Sequence, residues 1–265
     1  MTTIDDFKTV DICYKYDGSF YGMLSCAFES FTQKQIPVQI TSGAGSLFNS
    51  KYIKTNEQNA QRILQGVRTK IGSLALEYVK HCFLTSMDAK EITLIHFLIE
   101  GFKKGKKFIQ MLNTGFTPNR SIITSAFENP HLTKMQKGID LLLNESHKFV
   151  QFIRFSDING ALVSIIEPQN YVLPLLAEHF IQRYINEQFL IYDKTHRLGL
   201  MYTNYTPRLE YIDQLDMPTA NQDELKYRSL WKLFYNTIAI SERKNERCRT
   251  NFMPKKYWKN ITEVS

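Results

Sequence analysis

Seven cations crowd the stretch 241–265 of this 265-residue chain: Arg243, Lys244, Arg247, Arg249, Lys255, Lys256 and Lys259, against Glu242, Glu246 and Glu263. The local surplus of four is more than half of the chain's net charge of +7. Asn245, Asn251, Tyr257 and Trp258 are interleaved with the charges. Cations neutralise phosphates, amides hydrogen-bond, and planar rings stack on bases. The expectation is a nucleic-acid surface built from Arg243, Asn245, Arg247, Arg249, Lys255, Lys256, Tyr257 and Trp258. The alternative is that Met253, Tyr257 and Trp258 pack as an apolar tail that anchors the C-terminal segment.

Proton-transfer chemistry has four candidates: Glu145, His147, His179 and Asp193. Glu145 and His147 are two apart, so a regular helix puts them on different faces, and each needs a partner from elsewhere. His179 and Arg183 are four apart and share a face, from which they can present donors to a phosphate or carboxylate. Asp193 and Arg197 flank the turn after a strand. With Arg154, these residues are candidates for one polar cluster, in which His179 with Asp193 suggests proton transfer. The structural alternative is an Arg183–Asp193 ion pair that fixes the fold.

Other motifs exclude more than they assign. Gly43-Ala44-Gly45-Ser46 meets neither the P-loop nor the dinucleotide pattern and reads as a plain loop. Lys103, Lys104, Lys106 and Lys107 read as a solvated helix end. Cys13, Cys26, Cys82 and Cys248 are scattered, with no CxxC. That spacing argues against a zinc or iron–sulfur site and suits buried thiols in a reducing compartment. No metal and no cofactor is expected. The acidic start MTTIDDFKTVDI is no signal peptide, and no apolar run reaches the roughly 20 residues that span a bilayer. The expectation is a cytoplasmic protein with an anionic partner, as the pI near 9.1 favours.

These residues need elements to hold them. Alternation over 11–16 predicts a strand. Asp17-Gly18-Ser19 turns the chain into a helix with Phe20, Met23, Leu24, Ala27, Phe28 and Phe31 on one face. Thr55-x-x-Gln58 has the form of a capping box, and helices are predicted from there, over 91–112 and over 134–149. The period then changes to two. Strands at 152–155 and 161–166 flank Asp157-Ile158-Asn159-Gly160. A helix over 172–186, strands at 189–192, 198–202 and 208–212, and a helix over 223–240 follow. Leu230, Trp231, Phe234, Tyr235 and Ile238 of that last helix are expected mostly inward. The order predicts one α+β domain over 1–265, with an antiparallel or mixed sheet, a mostly helical insertion or subdomain over 55–149, and a C-terminal helix plus basic tail.

Several blocks, in order, resemble a bacterial family known as "probable DNA metabolism protein". They are Tyr16-Asp17-Gly18-Ser19-Phe20 with Gly22 and Leu24; Glu145-x-His147 with Phe152-x-Arg154-Phe155; 172–177 with His179, Phe180 and Arg183; Ile191-Tyr192-Asp193 with Arg197; and Leu230-Trp231, Arg243-x-Asn245, Met253-Pro254 and Tyr257-Trp258. Tyr21, Lys148, Gln151 and Arg249 depart from its pattern, as does the helical middle. That family is a domain of unknown function associated with a radical-SAM protein assigned to DNA repair and with uracil-DNA-glycosylase-like domains. The resemblance implies a role in DNA metabolism and no mechanism. Three functions follow as expectations: a DNA-binding accessory protein acting with a radical-SAM or glycosylase-like partner; an enzyme acting on a DNA base or nucleotide; or a protein-interaction partner without nucleic-acid contact.

Overall fold

The computed structural model describes residues 7–43, 45–108, 129–215, 222–240, 243 and 245–262. The chain divides into two compact units, Met1–Leu142 and Leu143–Ser265. Helices and strands form an α+β fold.

The first unit opens with β1 (Lys8–Lys15), α1 (Phe20–Gln33), β2 (Gln35–Thr41) and β3 (Asn49–Tyr52). The sheet order is β2-β1-β3, with β1 parallel to both neighbours. Ser19 starts α1 by accepting from the Gly22 amide at 2.9 Å, and Lys34 ends it in the left-handed conformation at φ 53°. Helices α2 (Glu57–Gly66), α3 (Ser73–Leu84) and α4 (Lys90–Lys104) follow, with a π-helical turn over Val67–Ile71. The cap of α2 lies one residue beyond the expected Thr55: Asn56 accepts from the Asn59 amide. Thr55 instead donates to Asp17 Oδ2 at 2.7 Å, tying the loops after β1 and β3 together. Met23, Leu24, Leu94, Ile95, Phe97 and Leu98 are buried in the core. The part of the 91–112 helix beyond Phe108 lies outside the described residues.

Helix α5 (Pro130–Phe152) begins in the first unit and ends in the second. The second unit then carries β4 (Ser156–Ile158), β5 (Ala161–Ile166), α6 (Leu173–Arg183), β6 (Phe189–Asp193), β7 (Leu198–Thr203) and β8 (Thr206–Tyr211). They form one mixed sheet in sequence order, parallel only between β5 and β6. The expected strand at 152–155 is corrected. Phe152 closes α5, and the strand starts at Ser156, so that Asn159-Gly160 alone turns the hairpin. Both turn residues have positive φ, 52° and 83°, the geometry that matches strand twist. Phe155 packs on Phe180, Tyr184 and Phe189.

Helix α7 (Gln222–Ile238), α8 (Glu246–Phe252) and a 3-10 segment (Lys255–Asn260) complete the unit. The inward face expected of α7 is also corrected: Leu230, Trp231, Phe234 and Ile238 are exposed, and Tyr235 is half-buried. Periodicity tells which side chains share a face; it does not tell whether another element covers that face.

Candidate functional site

Two places in the second unit gather polar chemistry. The first lies beyond the carboxyl ends of the parallel strands β5 and β6, where loops meet in a crossover unit. Asp193, the last residue of β6, is fully buried. Its Oδ1 accepts from the backbone amide of His196 at 3.1 Å, and its Oδ2 lies 2.6 Å from His196 Nδ1. A carboxylate can only accept, so Nδ1 carries the hydrogen, and in the neutral ring Nε2 is the remaining acceptor. The imidazole lies against Tyr171 at 3.9 Å between ring centroids. Tyr171 sits in the loop before α6, which Glu145 holds in place. Glu145 Oε1 accepts from the Gln169 amide, and Oε2 accepts from the Asn170 amide and side chain at 2.9 and 2.8 Å. This buried carboxylate thus organises a loop rather than facing His147, which is exposed and bonded to Gln151.

The expected polar cluster separates. Asp193 takes His196, not His179 or Arg183. His179 and Arg183 are exposed on α6, and Arg183 lies over the Tyr184 ring. Arg197 turns to Asp213 at 2.6 Å and to Tyr211. Arg154 Nη1 donates to the carbonyls of Gln151 and Ile153. Sequence reasoning missed His196. The Asp193-x-x-His196 spacing across a strand-to-strand turn was the available signal, because an aspartate at a turn's first position reaches the residues ahead of it.

The second place is the basic C-terminal segment, and the structure divides its residues. Tyr257 is 7% exposed, its ring packed on Phe149 and Phe152. In this packing the ring is not open for stacking on a base. Lys256 pairs with Glu145 at 3.3 Å and Lys259 with Glu167 at 2.6 Å. Trp258 donates its indole N–H to the Met253 carbonyl and carries the Arg249 guanidinium 4.5 Å above its ring. Asn245 caps α8 by accepting from the Cys248 amide. Arg243, Arg247 and Lys255 remain exposed and pair with no carboxylate among the described residues. Lys244 lies outside the described residues.

Among the described residues, two hollows that border this segment differ in size. The recess walled by Phe149, Arg154, Ile166, Lys256 and Tyr257 measures about 20 Å³, room for about one water. The groove between α7 and α8 is far larger, about 450 Å³, within the range of roughly 300–1,000 Å³ usual for small-molecule sites. Tyr235, Arg243, Asn245, Glu246, Cys248 and Arg249 line it. Among the described residues no three His, Cys, Asp or Glu side chains gather as a metal site. No helix among them is long and apolar enough to cross a membrane.

Residues 90–263 match the family described as a domain of unknown function, DUF4130, and the chain belongs to it. No curated protein matches the chain.

Proposed function

We propose that this protein is a DNA-binding accessory protein of DNA repair or modification, working in the cytoplasm beside a radical-SAM or glycosylase-like partner. The observation that carries the reading is the trio of exposed cations Arg243, Arg247 and Lys255, which pair with no carboxylate among the described residues, Arg243 on the wall of the groove between α7 and α8. Such cations exchange condensed counterions for phosphates. The resemblance of the sequence blocks to the DNA-metabolism family supports the same partner class. The partner protein has a candidate seat in α7, where Leu225, Tyr227, Leu230, Leu233, Phe234 and Ile238 are all exposed. Exposed apolar surface of this kind marks protein contacts.

Fluorescence anisotropy with single- and double-stranded oligonucleotides, at low and moderate salt, tests the reading. Affinity is expected to fall steeply with salt. Combined substitution of Arg243, Arg247 and Lys255 by alanine is expected to lower the salt slope by about two to three. No binding to either oligonucleotide at low salt overturns the proposal.

The pairing of Asp193 with His196 favours a second reading, an enzyme acting on a DNA base or nucleotide, with His196 Nε2 as the proton acceptor. Conversion of a labelled oligonucleotide, lost in H196Q with binding retained, is the result expected of it. Unchanged oligonucleotides in every mixture remove it.

A further inference from the structure

We infer that the groove between α7 and α8 receives one unpaired nucleotide of a single strand, its phosphate at Arg243 and its base against the α7 wall; this rests on the DNA-binding reading above. The volume of about 450 Å³ suits one nucleotide unit. It does not suit a duplex, whose bases are stacked inside and offer only edges and backbone to a surface. Its lining is the mixture that a nucleotide satisfies. Arg243 is an exposed cation, Asn245 and Glu246 are polar, and Tyr235 offers a half-buried ring beside Ile240. Rings in cationic grooves hold unstacked bases with little regard to sequence.

Arg249 adds an independent observation. One face of its guanidinium lies on Trp258 and its Nη2 pairs with Glu246 at 3.1 Å. Its Nε is buried with no acceptor among the described residues. A buried donor left unmet is unfavourable, and a turn of this side chain, which lines the groove, would bring the donor to an acceptor held there. Glu246 does not oppose an incoming phosphate with a bare charge, because its carboxylate is already bonded to Arg249.

The structure also supplies the reporter. Of the four cysteines, Cys13, Cys26 and Cys82 are buried, while Cys248 is exposed on the groove wall. The rate at which the native full chain reacts with a maleimide therefore reads access to the groove. A single-stranded oligonucleotide at saturation is expected to slow Cys248 modification by about tenfold. A blunt duplex of the same length, and dAMP at the same nucleotide concentration, are expected to slow it less than about twofold. R243A, altered at an exposed position that leaves folding intact, is expected to lose most of the protection. Oligonucleotide binding seen by anisotropy without protection of Cys248 overturns this inference and leaves the DNA-binding reading standing. Equal protection by the duplex, or by dAMP, overturns the single-strand assignment. No binding of any oligonucleotide overturns both.

Discussion

Asp193 and His196 hold each other across the turn between β6 and β7 through two hydrogen bonds, one to the backbone amide and one to the ring. The carboxylate is fully buried and its side-chain partner is this imidazole, so neither group is a bystander. Removing one member of such a pair leaves the other uncompensated. D193A leaves two donors of His196 unmet and is expected to destabilise the second unit by about 1–3 kcal/mol. H179A and R183A, at exposed positions on α6, are expected to stay within about 0.5 kcal/mol of the parent. Urea unfolding of the three variants checks the contrast; equal effects would return the polar cluster to His179 and Arg183.

Acid sensitivity is expected from the first unit. His96 and His131 stack face to face with centroids 3.8 Å apart. Burial, and then the facing His131, push His96 down to about 4 from the ordinary 6.5. Burial lowers His131 as well. Between those two values the unfolded chain binds more protons than the folded one. The contribution of this group to stability is therefore fully present above about pH 6.5 and is lost as pH falls toward about 4. H96F keeps a ring in place and is expected to flatten that part of the profile. Urea midpoints at about pH 4.5 and about pH 7 measure the difference.

Tyr257 anchors the C-terminal segment instead of presenting a ring to a ligand. Y257A removes a ring packed on Phe149 and Phe152 and is expected to cost about 3–5 kcal/mol. Y257F retains the ring and is expected to cost about 1 kcal/mol or less. Trypsin reports the effect directly, because Lys255, Lys256 and Lys259 flank the anchor. Early cleavage there in Y257A, but not in Y257F, is the expected pattern.

Gly22 tests the first turn of α1. A Cβ on it would stand 2.8 Å from Tyr16 Cδ2 and 3.0 Å from Ser19 Oγ, the atom that caps the helix. It would also press on the Asp17 carboxylate that links to Thr55. Alanine gains about 1 kcal/mol of helix propensity, against about 1–3 kcal/mol for overpacking at a close approach. G22A is thus expected to lower the melting temperature, and a rise would show that the turn yields freely.

The parts of this fold that were legible in the sequence are those set by local chemistry. Asn159-Gly160 announced a hairpin because few other residues accept two successive positive φ angles. The Ile191 and Leu200 positions announced β6 and β7 through alternation, and both side chains are buried. Long-range choices were not legible. Asp193 had several basic and imidazole side chains to pair with, and chain spacing alone could not rank them; the turn brought His196 within reach first. Leu230, Trp231 and Phe234 carry the same helical spacing whether a neighbour covers them or water does. The basic segment was visible as charge, but Glu145 and Glu167 lie roughly a hundred residues upstream of the lysines that they hold, and composition does not reveal such pairings.

The central place of β1 in its three-stranded sheet has a consequence for synthesis. Both of its neighbours come later in the chain, β2 ending at Thr41 and β3 at Tyr52. A nascent polypeptide leaving the ribosome thus carries this strand with two open edges until its downstream companions emerge. Chaperone capture is expected to concentrate in that interval and to lapse once residue 52 has cleared the tunnel.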